Sequence, residues 1–246
     1  MEFAETFCRS CHSFLHGASR PVELITRAHE LGYTGLAITD EASVGGAVQA
    51  HLAARDTGLS LMIGAQFASA ELAGRIAVIA MSRAGYAELG RLITCTRSRE
   101  MKGHYRLDPD DLEPGLPQCL VIWLPDLSQP QSRHHQTAGR MKSLFGDRFY
   151  LACSMLLHGA DSTWRDQLRT LGALHRIPIT ATSDVLMHRR SRKPLADTLT
   201  AIRYGMPLTQ CGQRFAPNAE QHLRSRLRMA QLHTADMLAT SLEIAG

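Results

Sequence analysis

Short apolar runs alternate with helical stretches along this chain, an order that leaves few architectures open besides a largely parallel sheet clothed in helices. Residues 3–9 read as a first strand. A helix follows, with Ser19 at the cap position, Pro21 in its first turn, Val22, Leu24, Ile25, Ala28 and Leu31 at helical spacing, and Gly32 as its stop. Residues 36–39 form a second strand, 46–56 a helix halted by Gly58, and 61–64 a third strand. This βαβαβ order predicts parallel pairing. A fourth strand at 76–81, a helix from 84 to about 97 and a fifth strand at 119–124 come next. A helix through Met141 and Leu144, a strand at 149–155, a helix at 162–175 and a strand at 178–182 complete the series. Seven strands suit a closed or nearly closed barrel better than an open sheet, though periodicity alone does not separate the two.

Two stretches interrupt the alternation. Residues 101–117, with Asp108-Pro109-Asp110-Asp111, read as a surface excursion, and residues 126–135, with the His134-His135 pair, as a loop. Beyond Asp184 the composition turns to arginine: Arg189, Arg190, Arg192 and Lys193, then Arg224, Arg226 and Arg228 in an expected helical tail. Arg224 and Arg228 would share a helix face and Arg226 would not, over an apolar side made by Leu223, Leu227 and Ala230. The first basic group, just past a strand end, is the better candidate for phosphate or an acidic partner.

Of the 246 residues 44% are apolar and 20% charged, the balance of an ordinary globular protein. A net charge of +4 is too small by itself to argue for nucleic acid. Six cysteines without a secretory leader read as reduced thiols, and no apolar run approaches the roughly 20 residues that span a bilayer, so a cytoplasmic protein without membrane contact is expected. Residues 235–245 read as a helix that stops at Gly246 without a downstream cap, as expected of a piece of a longer parent.

Chemistry is expected where the second strand ends on Thr39-Asp40-Glu41, because carboxylates at the C-terminal end of a parallel strand face a site. Cys8-Arg9-Ser10-Cys11-His12 is a literal C-x-x-C-H, but it runs from a strand into its turn in a chain with no export signal, which argues against haem attachment. Zinc held by Cys8, Cys11, His12 and His16 is the better metal reading, weakened because tetrahedral sites usually join separated segments.

Ser13-Phe14-Leu15-His16-Gly17-Ala18-Ser19, Ala37-Ile38-Thr39-Asp40-Glu41 and Ile63-Gly64-Ala65-Gln66-Phe67 resemble the opening of the PHP (polymerase and histidinol phosphatase) domain of bacterial DNA polymerase III alpha subunits. Arg83-Ala84-Gly85-Tyr86, Tyr105-Arg106-Leu107, Ser183-Asp184-Val185, Met187-His188-Arg189-Arg190 and His222-Leu223-Arg224-Ser225-Arg226 resemble its error-prone, damage-inducible branch, in the right order along essentially the whole chain. The resemblance implies an α/β fold, a distorted seven-stranded (β/α) TIM-like barrel over residues 1–205. Residues 206–246 become a helical extension leading toward the thumb and palm of a parent polymerase.

Active members of that family cleave phosphoesters with up to three metal ions at the barrel mouth, and by resemblance the ligand positions here are largely altered. The histidines of the first strand fall on Phe7 and Arg9, the acid after them on His16, a histidine on Glu41, the acid of the third strand on Gln66, a histidine of the fourth on Arg75, and the last histidine on Leu186. Asp40 and Asp184 are retained. The two acids have a structural reading as well, accepting hydrogen bonds from loop amides or pairing with an arginine, Arg9 being a candidate. The expectation is no catalytic residue and no cofactor in this chain, with one weakly bound zinc or manganese at Glu41 and His16 as the alternative and magnesium confined to the palm of the parent. The implied role is a scaffold and docking module in translesion synthesis and induced mutagenesis, contacting the rest of the polymerase and mutagenesis-complex proteins, and DNA weakly if at all. The alternative is a metal-dependent phosphoesterase or 3′–5′ exonuclease.

Overall fold

The computed structural model describes residues 2–246. Seven strands among them, β1 (Ala4–Cys8), β2 (Gly35–Glu41), β3 (Ser60–Ser69), β4 (Gly74–Ala80), β5 (Cys119–Pro125), β6 (Phe149–Ser154) and β7 (Ile179–Thr182), form one sheet in sequence order. Around them run α1 (Pro21–Glu30), α2 (Ala47–Thr57), α3 (Arg83–Ser98), α4 (Gln131–Phe145) and α5 (Asp161–His175). Beyond β7 come α6 (Lys193–Tyr204), the short α7 (Leu208–Cys211), α8 (Arg226–Leu232) and α9 (Ala235–Ala245). No helix among the described residues is long and apolar enough to cross a membrane.

The first three strands pair in parallel, as their βαβαβ order predicts, whereas β4 runs antiparallel to both β3 and β5. The third strand continues to Ser69, and the four residues 70–73 then turn the chain back at once. So short a link joins only antiparallel neighbours, since a parallel crossover needs a dozen residues or more. This hairpin carries Gln66 and Arg75 on adjacent strands. Gly64, on the same hairpin, faces Ile79, and a Cβ there would lie 2.6 Å from the Val78 carbonyl oxygen.

One apolar cluster takes Ala4, Ala37, Met62, Ala77, Ile122 and Ala152 from six strands and fills the barrel interior. Two others occupy the layer between sheet and helices, one around Leu24, Leu36 and Leu168, the other around Trp123, Met141 and Phe149. α9 packs against β7, β1 and β2, burying Met237, Leu238 and Ile244, so part of the 206–246 segment belongs to the barrel's own core.

Closure between β7 and β1 rests on few backbone bonds. Val185 N–H donates to the Phe7 carbonyl and Arg9 N–H to the Val185 carbonyl, both at 2.9 Å. The fully buried Glu5 supplies the rest: its carboxyl accepts from the amides of Thr6 and Phe7 at 3.0 Å, from Ser183 N–H at 2.9 Å and from the Thr182 hydroxyl. Burial outweighs these bonds and pushes the Glu5 pKa up to about 7. A carboxyl raised in this way favours the folded state fully below the ordinary carboxylate range and loses that contribution as pH climbs through 7. Buried His233, held down to about 4, works in the opposite sense, so the comparison must isolate Glu5. The stability advantage of the wild type over Glu5→Gln is expected to shrink between pH 5 and 7 by up to about 1.4 kcal/mol per pH unit, read from urea unfolding at each pH. A gap that does not change with pH would show that Glu5 does not titrate there.

Three local expectations are corrected. The cap of α1 is Arg20, not Ser19, whose hydroxyl pairs with His188 Nδ1 at 2.8 Å and accepts the His188 amide at 2.9 Å. His134 and His135 lie in the first turns of α4, which Pro130 starts, and His134 is buried against Trp123 and Trp164. Arg224 precedes α8 instead of lying on it; its guanidinium is buried, bonded to the carbonyls of Glu220 and Met155 and paired with the Glu220 carboxylate. The helix starts late because Ser225 caps it, accepting from the Arg228 amide, and Leu227 is therefore turned outward, 70% exposed.

Candidate functional site

The C-terminal ends of β1, β2, β3 and β7 and the start of β4 converge on one mouth, where two positive-φ kinks aim the side chains: Ala42 at φ 42°, just past Glu41, and Asp184 at φ 46°. Such backbone is costly for a residue with a Cβ and persists where surrounding contacts over-determine it. Asp184 has those contacts. Arg75 grips it with two bonds, Nη1 to Oδ1 at 2.9 Å and Nη2 to Oδ2 at 2.5 Å, and Gln221 Nε2 donates to Oδ2 at 2.8 Å. Arg9 Nη2 lies 3.7 Å from Oδ1. Burial alone would raise the Asp184 pKa, but the charges of Arg75 and Arg9 outweigh it and hold the carboxyl below its ordinary range.

Arg75 is the hub of this cluster. It also donates to Gln66 Oε1 at 3.0 Å, Gln66 in turn donates to the Thr39 hydroxyl at 2.9 Å, and the guanidinium sits over the Phe7 ring, 5.7 Å from its centroid. Phe7, Arg9, Gln66, Arg75 and Asp184, residues of four separate segments, are thus in mutual reach. Leu186 borders the same opening and is fixed by its backbone, its N–H donating to the Gln221 carbonyl and its carbonyl accepting from Ala18 N–H.

Asp40 faces the other way. Fully buried, it accepts from the Ser10 amide at 2.7 Å, the Ser10 hydroxyl at 2.8 Å and the Ser13 hydroxyl at 2.8 Å, so it fastens the loop after β1. Glu41 stays half-exposed, accepting from the Tyr105 hydroxyl at 2.9 Å and lying 3.2 Å from His16 Nδ1. Burial would raise its pKa, and neighbouring His16 and Arg9 bring it below the ordinary value.

This donor set does not fit a metal centre. Among the described residues no group of three or more His, Cys, Asp or Glu side chains could hold an ion. Asp40 is saturated by serines, Glu41 and His16 make only a pair, and both oxygens of Asp184 already bear a guanidinium, a fixed cation where a mobile one would need those lone pairs. The Cys8, Cys11, His12 and His16 quartet is divided as well, for Cys8 is buried in the layer under α1 while Cys11 is exposed.

The basic run after Asp184 has internal partners. Arg189 pairs with Glu30, Arg190 with Glu220, Arg192 with Glu23 and Lys193 with Asp197, so these cations fasten α6 and its lead-in to the barrel. Tyr105, Arg97 and Gln221 are functional neighbours that sequence reasoning did not single out. Arg97 donates to the carbonyls of Glu41 and Ala42, holding the kink. Tyr105 arrives on the 101–117 excursion, which folds onto the barrel by burying Leu107, Leu112 and Leu116. The spacing of those leucines was the available signal.

A sequence profile of the PHP domain matches residues 6–154. The chain is 43% identical, over 99% of its length, to the error-prone DNA polymerase of Bordetella parapertussis, and 42% identical over 97% to that of Burkholderia mallei. It is 40% identical over its whole length to that of Ralstonia nicotianae, and it spans about a quarter (24%) of each relative. Among solved structures it is similar to an amidohydrolase from Chromobacterium violaceum, with TM-score 0.59 and 13% identity over 74% of this chain and 87% of that one. It is also similar to a two-domain protein from Bacteroides vulgatus described as containing a predicted PHP-like metal-dependent phosphoesterase, with TM-score 0.52 and 13% identity over 98% of this chain and 69% of that one. At such identities the likeness is one of fold.

Proposed function

This chain belongs to the PHP domain family, and from that premise we propose that it is the PHP domain of an error-prone DNA polymerase, acting in damage tolerance as a non-catalytic scaffold. The single observation that carries the non-catalytic part is the bidentate Arg75–Asp184 pair. Hydrolysis of a phosphoester by this family's chemistry needs metal ions that coordinate and deprotonate a water, and a guanidinium tied to β4 can hold an oxyanion but has no coordination site at which to activate that nucleophile. The polymerase part is supported by 40–43% identity to error-prone polymerases along almost the entire chain.

In this reading the domain's partners are the remainder of the polymerase and the proteins of a mutagenesis complex in the cytoplasm. DNA contact is weak, because the cations expected to touch phosphate are spent on internal carboxylates. The test is hydrolysis of a chromogenic phosphodiester and of a primed DNA 3′ end by purified protein supplied with magnesium, manganese or zinc. No turnover above buffer is expected. Metal-stimulated turnover that disappears in Glu41→Gln, a half-exposed position whose change leaves the core intact, would overturn the proposal.

A further inference from the structure

We propose that the arginine-lined cavity at the barrel mouth is a metal-free binding site for a multiply charged phosphate anion, with Arg9 as its buried anchor. The cavity measures about 300 Å³ and is lined by Arg9, Arg75, Lys193, Arg203 and Arg214, against the two carboxylates of Asp184 and Asp197. Both carboxylates are engaged, Asp184 with Arg75 and Asp197 with Lys193 at 2.5 Å. Among the described residues Arg203 and Arg214 have no carboxylate partner; their guanidinium carbons lie 5.0 and 4.8 Å from the centroid of the Tyr204 ring. Arg203 and Arg214 therefore line the cavity without a carboxylate partner, beside an Arg9 that shares Asp184 with Arg75.

Arg9 is the decisive group. Its side chain is only 9% exposed, its Nε is buried without an acceptor, and the carboxylate paired with it, Asp184, lies at 3.7 Å, too far for a hydrogen bond, with Glu41 a further counter-charge. A guanidinium offers five donors, and burying them unpaired is costly enough that an acceptor is expected from outside the chain. Burial and the adjacent Arg75 charge push the Arg9 pKa down from its ordinary value, the direction of an under-compensated cation.

The chemistry that satisfies such a set is a compact oxyanion with several lone pairs, because planar guanidinium forks match phosphate oxygens and the burial of Arg9 strengthens the attraction. The volume admits phosphate or pyrophosphate, free or as the terminal group of a mononucleotide, and excludes duplex DNA. The inference rests on the reading that the mouth works without metal; arginines would hold the kind of group that ions hold in active relatives.

Calorimetric titration of the 246-residue chain with pyrophosphate, inorganic phosphate and a deoxynucleoside monophosphate, in chelator and at low salt, tests it. Saturable binding is expected, strongest for pyrophosphate if the free anion is the ligand and for the nucleotide if its sugar and base add contacts. Arg203→Ala and Arg214→Ala should each weaken it about tenfold, and Arg9→Gln more, since each removes a charge-assisted bond. Arg203 and Arg214 lie at the surface, so their variants keep the wild-type melting temperature and remain informative even if Arg9→Gln fails to fold. Absence of binding in chelator, binding that appears only with added manganese, or affinity unchanged in both surface variants would overturn the inference. Hydrolysis of pyrophosphate with metal present would instead sink the non-catalytic reading, whereas neither binding nor hydrolysis sinks this inference alone.

Discussion

Asp184→Ala is expected to lower the unfolding free energy by about 3–5 kcal/mol, the range found when one member of a buried ion pair is removed. The carboxylate stands between two guanidiniums, gripping Arg75 and lying 3.7 Å from Arg9, and its removal leaves two like charges facing each other. It also strands the Gln221 amide donor and frees a kinked residue at φ 46°. Urea unfolding at pH 7 reads the effect as a lower midpoint with an unchanged slope. A loss under about 1 kcal/mol would mean that Arg75, a quarter exposed, simply turns to solvent. Because the Asp184 pKa lies below its ordinary range, its contribution is present above that range and fades as pH falls through the folded value, so the difference should narrow in strong acid.

Glu5→Ala should cost about 3 kcal/mol or more, by a different route. The carboxyl is the common acceptor for the amides of Thr6, Phe7 and Ser183 and for the Thr182 hydroxyl, and each buried donor left without an acceptor costs about 1–3 kcal/mol. Relief from burying an ionisable group offsets part of that sum, which is why the expectation lies well under the total. The seam between β7 and β1 has only a few backbone bonds of its own, so the damage should be local before it is global. Hydrogen exchange is the distinguishing measurement: the Ser183 and Phe7 amides should lose protection in the variant while the β2–β3 ladder keeps its own. Uniform protection at the seam would show that water or a neighbouring group replaces the carboxylate.

Much of the fold was legible because its physics is local. Apolar runs marked β2 and β5, Gly32 and Gly58 marked the stops of α1 and α2, and the family motifs marked the mouth. What the periodicity missed was decided by turns, caps and packing. The four-residue link after Ser69 reversed β4, Ser225 postponed α8 so that Arg224 turned inward, and the His134-His135 pair entered a helix because α4 packs on the sheet. At the mouth, the family resemblance marked Arg75 and Asp184 only as an altered and a retained ligand position, since their 109-residue separation carries no record of contact. The basic residues 189–193 looked free for the same reason: Glu23, Glu30 and Glu220, which neutralise the arginines, lie in distant segments.

By itself, then, the sequence determined the strand-and-helix order, because residue type and short-range periodicity are written along the chain, while the altered ligand positions at Phe7, Arg9, Gln66, Arg75 and Leu186 are what the family resemblance implies. Only the tertiary structure decided which cations are spent and which remain. Charge compensation depends on distances between segments far apart in sequence, and it left Arg9 buried beside Arg75 with too few acceptors while every arginine of the 189–193 run found a carboxylate.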